Sequence, residues 1–332
     1  MTTPPEPVEG PDPTPPEPVE EPTPPTTPEP VEGPEPVLEV AGLSVAFGRR
    51  PPSVSGISFA IAPGERVGLI GESGSGKSVT ALAVMGLLPE YARTSGVVWL
   101  AGEQILDRPD AVLARLRGNQ VSMVFQEPMT ALDPTMKVGR QVAEVIGLHR
   151  RRAGSGHVRA RVLETLGDVG LADPARIAGS YPHQLSGGQR QRVVIAMALV
   201  NTPDLVICDE PTTALDVTVQ AKVLGLLDRE LAAAGAGCLF ISHDLAVVSQ
   251  LCSRVLVMLD GRIVEDAPLD TILTAPEHPY TKGLVATARI DRVTPGERLP
   301  TVADFWDETS PEPTPPEPTS PEPTSPEPVE GS

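Results

Sequence analysis

The strongest chemical pattern in the sequence is a glycine-rich octapeptide that fits G-x-x-x-x-G-K-S. It follows an apolar run, Arg66–Ile70, that predicts a short strand, and a helical pattern begins at Ser78. In this setting the glycines let backbone amides converge on phosphates at a helix N-terminus, whose dipole favours negative charge. The Lys77 ammonium could then reach the β- and γ-phosphates of a nucleotide, and the Ser78 hydroxyl could be a Mg2+ ligand. The residues predicted to bind nucleotide are Gly71, Glu72, Ser73, Gly74, Ser75, Gly76, Lys77, Ser78 and Val79.

Two adjacent carboxylates follow a second apolar run. Leu205–Asp209 predicts a buried strand that ends in an aspartate, and Glu210 comes next. An aspartate at the carboxyl end of such a strand lies beside the phosphates, where it can hold Mg2+ through water. Glu210 lies where a general base could polarise the attacking water. The octapeptide alone is shared by kinases, GTPases, recombinases and transporters, and the carboxylate pair narrows that choice.

A third motif carries a resemblance to a known family. The segment Leu185, Ser186, Gly187, Gly188, Gln189 matches the signature motif of the ATP-binding-cassette (ABC) ATPases without a mismatch, and the chain resembles that family. A serine and two glycines before a helix form a second cluster of amides suited to an anion. In the family, this cluster closes over the γ-phosphate of the nucleotide held by the other subunit. The resemblance therefore implies a head-to-tail pair of cassettes around two ATP molecules.

Four further residues match elements of the same family, and their roles rest on the resemblance. Gln126 matches the glutamine that contacts Mg2+ and the attacking water and senses the transmembrane partner. Asp216 belongs to the loop that crosses the dimer interface, and His243 matches the histidine that contacts the γ-phosphate. Phe47 occupies the place of an aromatic residue that stacks on adenine.

The resemblance covers residues from about 37 to 299 and is closest to the ATPases of oligopeptide, dipeptide and nickel importers. The segments that carry it are residues 126–139, 181–199 and 208–224, and the sequence Pro-Glu-His-Pro-Tyr-Thr at 276–281. The chain is more similar to the first of the two paired ATPases, although Gln189 replaces a methionine often found there. The cysteine cluster near the C-terminus of many such subunits is missing, so no iron–sulfur site is expected.

The resemblance implies an ATP-hydrolysing subunit of an ABC importer for peptides or nickel. Its expected partners are a second ABC ATPase subunit, two transmembrane permease subunits and, through the complex, an extracytoplasmic solute-binding protein. An exporter ATPase is an alternative, disfavoured by the His-Pro-Tyr-Thr sequence of the extension and by the importer-like sequence around Gln126. A soluble cassette ATPase acting on nucleic acid or ribosomes is a second alternative. It is disfavoured because the chain has one cassette, no heptad run and no basic stripe for phosphate backbones.

The strands and helices predicted around these residues indicate an α/β fold. Strands are expected at residues 37–47, 55–62, 66–70, 96–100, 121–125, 205–209 and 238–242, and helices at 78–88, 217–234 and over most of 136–192, with breaks at 154–156 and around Pro174. This alternation, with the resemblance, predicts a P-loop NTPase (RecA-like) core that carries an antiparallel β subdomain and a helical signature subdomain.

Composition separates this cassette from the ends of the chain. The net charge of −18 arises almost entirely from residues 2–36 and 301–332, which contain no lysine or arginine and many prolines. We expect disordered acidic tails at 1–36 and 308–332, because such segments cannot bury enough apolar surface to offset their ordering entropy. The ABC ATPase domain is expected at 37–275, with its helical subdomain at about 128–195, and an importer-type extension at 276–307.

The sequence also predicts a location. No apolar run approaches the ~20 residues that a membrane-spanning helix needs, and the acidic N-terminal segment does not resemble a secretion signal. The three cysteines lack the C-x-x-C spacing of metal sites, which is typical of reduced thiols in the cytosol. We therefore expect a peripheral protein on the cytoplasmic face of the cell membrane, held there by its partners.

Overall fold

The structure is a computed structural model, and it describes residues 35–125, 131–149, 154–212 and 216–288. Four predictions fall wholly or mostly outside these ranges: the two acidic tails, the extension beyond residue 288, and the position of Gln126. The interface loop is described only from Asp216 onward.

The first part of the described chain forms a four-stranded antiparallel sheet in the order β2-β1-β4-β5. Alternate residues of β1 are buried, as the alternation of apolar and polar side chains predicts. The strand β4 is longer at its start than expected, since its pairing with β1 extends to Ala92 opposite Phe47. The bounds are β1 Leu38–Phe47, β2 Val54–Ile61, β4 Ala92–Leu100 and β5 Glu103–Gln104.

The other described strands form a six-stranded sheet in the order β10-β9-β3-β8-β7-β6. All neighbours in it are parallel except β9 and β10, which form an antiparallel pair. Neither β9 nor β10 was predicted from the sequence. The bounds are β3 Arg66–Ile70, β6 Val121–Val124, β7 Leu205–Asp209, β8 Gly237–Ser242, β9 Arg254–Leu259 and β10 Arg262–Pro268.

Both faces of the six-stranded sheet are buried, which explains why its strands have continuous apolar sequences. On β7, Leu205 and Ile207 pack into the cluster that includes the antiparallel sheet. Val206 and Cys208 face the opposite cluster, formed largely by helices. The chain's three cysteines, Cys208, Cys238 and Cys252, are free and buried in this second cluster. The α/β fold class predicted from the sequence is confirmed.

Helices surround the sheet and fill the segment between β6 and β7. The first helix ends at Met85, three residues before its predicted end, because Gly86 adopts a left-handed conformation. Gly154 precedes α4, whose first turn contains Gly156, so the predicted break at 154–156 is too long. The bounds are α1 Lys77–Met85, α2 Asp110–Leu116, α3 Val138–His149, α4 Ser155–Asp168, α5 Pro174–Gly179, α6 Gly187–Leu199, α7 Val217–Ala234, α8 Leu245–Val248, α9 Leu269–Thr274 and α10 Pro279–Ala288, with a 3-10 turn at Pro182–Gln184.

In the parts of the chain that the structure describes, no helix has both the length and the apolar character needed to cross a membrane.

Candidate active site

The octapeptide forms the loop between β3 and α1 and lines a cavity of about 780 Å³. Gly76 precedes the helix with a φ of 106°, a conformation that side chains disfavour. A Cβ at Gly76 would lie 2.5 Å from the backbone oxygen of Ser53, and one at Gly71 would lie 2.1 Å from that of Met258. The two glycines are therefore required by the close approach of neighbouring backbone, before any ligand is considered.

The loop offers a matched pair of substitutions that separates these effects. Gly74 also has a positive φ, of 86°, but a Cβ there would meet no atom within 4 Å. We expect Gly74→Ala to lower the free energy of unfolding by about 1 kcal/mol, from backbone strain alone. Gly76→Ala should lower it by about 3 kcal/mol, because overpacking against fixed backbone adds to the strain. Chemical denaturation measures both values, and equal losses would contradict the packing argument.

Lys77 is held inside the loop that it belongs to. Its side-chain nitrogen donates hydrogen bonds to the backbone oxygens of Gly71 and Glu72, both at 2.7 Å. The residue is only 5% exposed. Burial lowers the pKa of its ammonium group, and the nearby carboxylates of Glu210, Asp209 and Glu72 oppose that shift. A partly desolvated cation surrounded by backbone oxygens is well suited to attract an anion.

Ser78 and Asp209 meet across the loop and the sheet. The hydroxyl of Ser78 donates to Asp209 Oδ1 at 3.2 Å. Asp209 is the last residue of β7, a strand buried along its whole length. Burial raises the pKa of the Asp209 carboxyl, with a smaller opposing effect from the Ser78 hydrogen bond. The two oxygen donors that the sequence assigned to Mg2+ are therefore neighbours in the structure.

Glu210 and His243 also belong to the site. The amide of Glu210 donates to the backbone oxygen of Ile241 at 3.0 Å, and Glu210 has a positive φ of 48°. This turn directs the carboxylate toward His243, whose Nδ1 lies 3.1 Å from Glu210 Oε1. Both side chains line the same cavity as the loop. A carboxylate and an imidazole in contact on the wall of this cavity can orient a water molecule and move its proton.

Phe47 does not line this cavity. Its ring packs edge-to-face on Tyr91, with the ring centroids 6.1 Å apart. Tyr91 is 71% exposed and was not singled out in the sequence. The stacking role of Phe47 stays a prediction, and the structure adds an exposed aromatic ring beside it.

The signature residues lie at the start of α6. Ser186 is the N-cap, and Gly187 and Gly188 form the first turn, so the expectation that both glycines precede the helix was wrong by two residues. The amide of Gln189 donates to Ser186 Oγ at 3.3 Å, and Gln189 Oε1 accepts from the amide of Ser186 at 3.0 Å. This reciprocal pair is a capping box, which satisfies two amides that a helix N-terminus leaves without partners.

Gly187 is not required by the chain's own packing. Its backbone has no positive φ, and a Cβ at this position would meet nothing within 4 Å among the described residues. Gly188 is more restricted, because a Cβ there would lie 2.9 Å from Val219 Cγ1 of α7. Leu185 is buried, while Ser186 and Gly187 are exposed, and none of the five signature residues lines the cavity. A small residue on an open surface leaves room for close approach of another molecule.

Asp216 caps the helix that follows it. Its Oδ1 accepts a hydrogen bond from the amide of Val219 at 3.0 Å, at the N-terminus of α7. The next residue, Val217, is 83% exposed although it is apolar. The predicted interface residue thus has a structural role within the chain and lies beside an exposed apolar side chain.

Several residues of the site were missed by sequence reasoning. Ser53, just before β2, and Leu284, on α10, line the cavity. The amide of Gly261, between β9 and β10, donates to the backbone oxygen of Ser75 at 3.0 Å. The hydroxyl of Tyr280 accepts from the amide of Glu72 at 2.8 Å. The sequence singled out residues 276–281 as an extension, but nothing in it located that extension against the loop.

The chain matches one family model and several curated proteins. The family model described as "ABC transporter" matches residues 54–213. The oligopeptide transport ATP-binding protein OppD of Mycobacterium tuberculosis is 49% identical over 259 residues, which are 77% of this chain and 42% of that protein. The "Probable peptide ABC transporter ATP-binding protein y4tR" of Sinorhizobium fredii is 44% identical over 252 residues, 75% of each chain.

A solved structure has the same fold. The ATP-binding cassette MJ0796, in a dimeric post-hydrolysis state bound to ADP and Pi, aligns with a TM-score of 0.62 and 29% identity, over 70% of this chain and 98% of that one. The chain spans 42% to 46% of the length of its curated relatives at 48% to 49% identity.

Proposed function

The chain belongs to the family of ATP-binding subunits of ABC transporters, and from that premise we propose that it binds and hydrolyses ATP to drive the uptake of peptides. One observation carries the proposal. One cavity is lined by Lys77, Ser78, Glu210 and His243, together with other residues of the octapeptide loop. Asp209 contacts Ser78 at this site. This set provides an ammonium for phosphates, oxygen donors for a metal ion and a base for water.

The residue roles follow from this arrangement. We assign the loop from Gly71 to Val79 to the phosphates, Glu210 to activation of water, and His243 to orientation of Glu210 and contact with the γ-phosphate. Adenine would stack on Phe47, whose ring is supported edge-to-face by Tyr91. Gln126 would complete the water and metal contacts, as the resemblance implies.

The residues present also fit Mg2+. This ion prefers oxygen ligands and usually takes one or two from the protein, with the rest from phosphates and water. Ser78 would bind it directly and Asp209 through water, and their oxygens lie 3.2 Å apart. A divalent cation would favour the charged form of Asp209, which burial disfavours in the protein alone. When bound, Mg2+ would neutralise charge that develops on the phosphates.

The second half of each active site would come from another subunit. The signature residues lie outside the cavity that holds Lys77 and Glu210, on an exposed helix start with an open glycine. The solved relative MJ0796 is dimeric with ADP and Pi bound. We propose that this chain also pairs, in the head-to-tail arrangement that the resemblance implies, and that its partner is a second, related ABC ATPase subunit.

Transport would follow from closure of that pair. We propose that two permease subunits hold the chain at the cytoplasmic face of the membrane, and that an extracytoplasmic solute-binding protein delivers the solute. Several relatives are named as peptide or oligopeptide transport proteins, which favours peptides over nickel. The domain limits at 37–275 and 276–307, with the helical subdomain at about 128–195, are part of the same proposal.

The pairing is tested by Ser186→Arg. We expect this variant to abolish hydrolysis at the nucleotide held by the partner, because a long cation would occupy the place of the phosphate contacts, while ATP still binds at its own loop. Ser155→Arg, at the exposed first position of α4, is the control for size and charge. Hydrolysis and molecular mass are measured for the chain alone and with its co-expressed partners. A monomer with full activity would exclude the paired mechanism.

A further inference from the structure

The helix α10, Pro279–Ala288, packs against the loop that binds phosphate in our proposal. Tyr280, at its start, is 1% exposed, and its hydroxyl accepts a hydrogen bond from the backbone amide of Glu72 at 2.8 Å. One turn further, Leu284 lines the cavity itself. A segment more than 200 residues away in sequence therefore forms part of the wall of the nucleotide site.

Glu72 is held from both sides of its backbone. Its amide donates to the Tyr280 hydroxyl, and its carbonyl oxygen accepts from the ammonium of Lys77 at 2.7 Å. Lys77 is also the group that would turn toward a phosphate, which weakens its hold on the loop when a nucleotide arrives. The Tyr280 bond does not involve the Lys77 ammonium, so it can persist through that exchange.

Tyr280 is itself fixed by the β10 strand. The two carboxylate oxygens of Glu265 accept from the amides of Glu277 and His278, at 2.9 and 3.0 Å. The Nδ1 atom of His278 accepts from the amide of Tyr280 at 3.2 Å. These bonds set the start of α10 relative to the sheet edge, so the position of the Tyr280 hydroxyl is determined before any ligand binds.

We propose that Tyr280 is a positioning residue for nucleotide binding, which holds the Glu72 peptide of the loop in its binding conformation while Lys77 changes partners. The described part of the extension, residues 276–288, would then belong to the ATP site. This inference rests on the proposed function, because the ligand is the ATP assigned there. Preorganised loops bind more tightly since less ordering is left to the binding step.

The test is Tyr280→Phe, which removes the hydroxyl and keeps the buried ring. Loss of the bond leaves the Glu72 amide without this acceptor, and we expect the affinity for ATP to fall by about fivefold. In the assembled transporter the KM for ATP should rise by a similar factor, with kcat changed by less than about twofold, because Tyr280 touches no reacting atom. Fluorescent ATP-analogue titration of the full chain and steady-state hydrolysis measure the two effects.

A matched control lies at the next residue. Thr281 is fully buried on the same helix, and its hydroxyl has no hydrogen-bond partner among the described residues. Thr281→Val removes a buried hydroxyl without touching the loop and should leave the affinity for ATP unchanged. If Tyr280 only packs the helix, its variant will lose thermal stability without nucleotide and keep the wild-type affinity, which would overturn the proposal.

The remaining outcomes are also decisive. If wild-type protein does not bind the analogue, the proposed function fails, whereas wild-type binding with an unchanged Tyr280→Phe refutes this inference alone. If Tyr280→Phe does not fold, Glu265→Gln takes its place, because it removes one of the two acceptors that fix the start of α10. It should weaken ATP binding in the same direction, and an unchanged affinity would reject the positioning role.

Discussion

Glu210→Gln should lower the rate of ATP hydrolysis by about 100-fold or more and leave ATP binding intact, as expected for loss of a general base. The amide keeps the size of the carboxylate but cannot accept a proton from water. It also keeps an oxygen that can contact His243, whose Nδ1 lies 3.1 Å from Glu210 Oε1. Phosphate release by the assembled complex and equilibrium binding of an ATP analogue measure the two quantities.

The matched control is Glu164→Gln, on the exposed side of α4, where the glutamate pairs with Arg161 three residues earlier. Exposed pairs of this kind contribute little, so hydrolysis should stay near the wild-type rate. Glu210→Gln with near-normal turnover in the complete assembly would remove this residue from the role of base.

Lys77→Ala should abolish hydrolysis and lower the affinity for ATP by at least about tenfold, because a charge-assisted bond to phosphate is lost. The side chain is nearly buried and holds the Gly71 and Glu72 carbonyls, so its removal also loosens the empty loop. Lys222→Ala, an exposed lysine on α7, controls for the loss of one positive charge. An unchanged affinity of Lys77→Ala would contradict the assigned phosphate site.

The sequence predicted well those elements whose limits are marked locally. The bounds of β3, β7 and α7 agree with the structure, because each is an apolar or amphipathic run between strong end signals. Asp216 caps α7 at its start, and Gly235 ends it in a left-handed conformation. The convergence of Ser78 and Asp209 also follows from topology, since β3 and β7 flank β8 and the carboxyl ends of parallel strands share an edge.

The contacts that hold the octapeptide loop against distant parts of the chain could not be predicted from such local signals. Gly71 is required by the backbone of Met258, and Ser75 is held by the amide of Gly261, both in the β9 and β10 hairpin. The Tyr280 contact spans a similar distance in sequence. These partners share no spacing or periodicity with the octapeptide, and only the packed fold brings them together.

The buried cysteines have a practical consequence for measuring motion. The pKa of Cys208 is raised by a hydrogen bond with Cys238 and by burial, and burial raises that of Cys252. All three native cysteines are buried, so reagents that need an accessible thiol should not react with them in the folded chain. A single cysteine introduced at exposed Ser155 on α4 would take one spectroscopic label without removal of any native residue. With a second label on the partner ATPase subunit, cassette closure and reopening could then be followed as a change in inter-label distance during turnover.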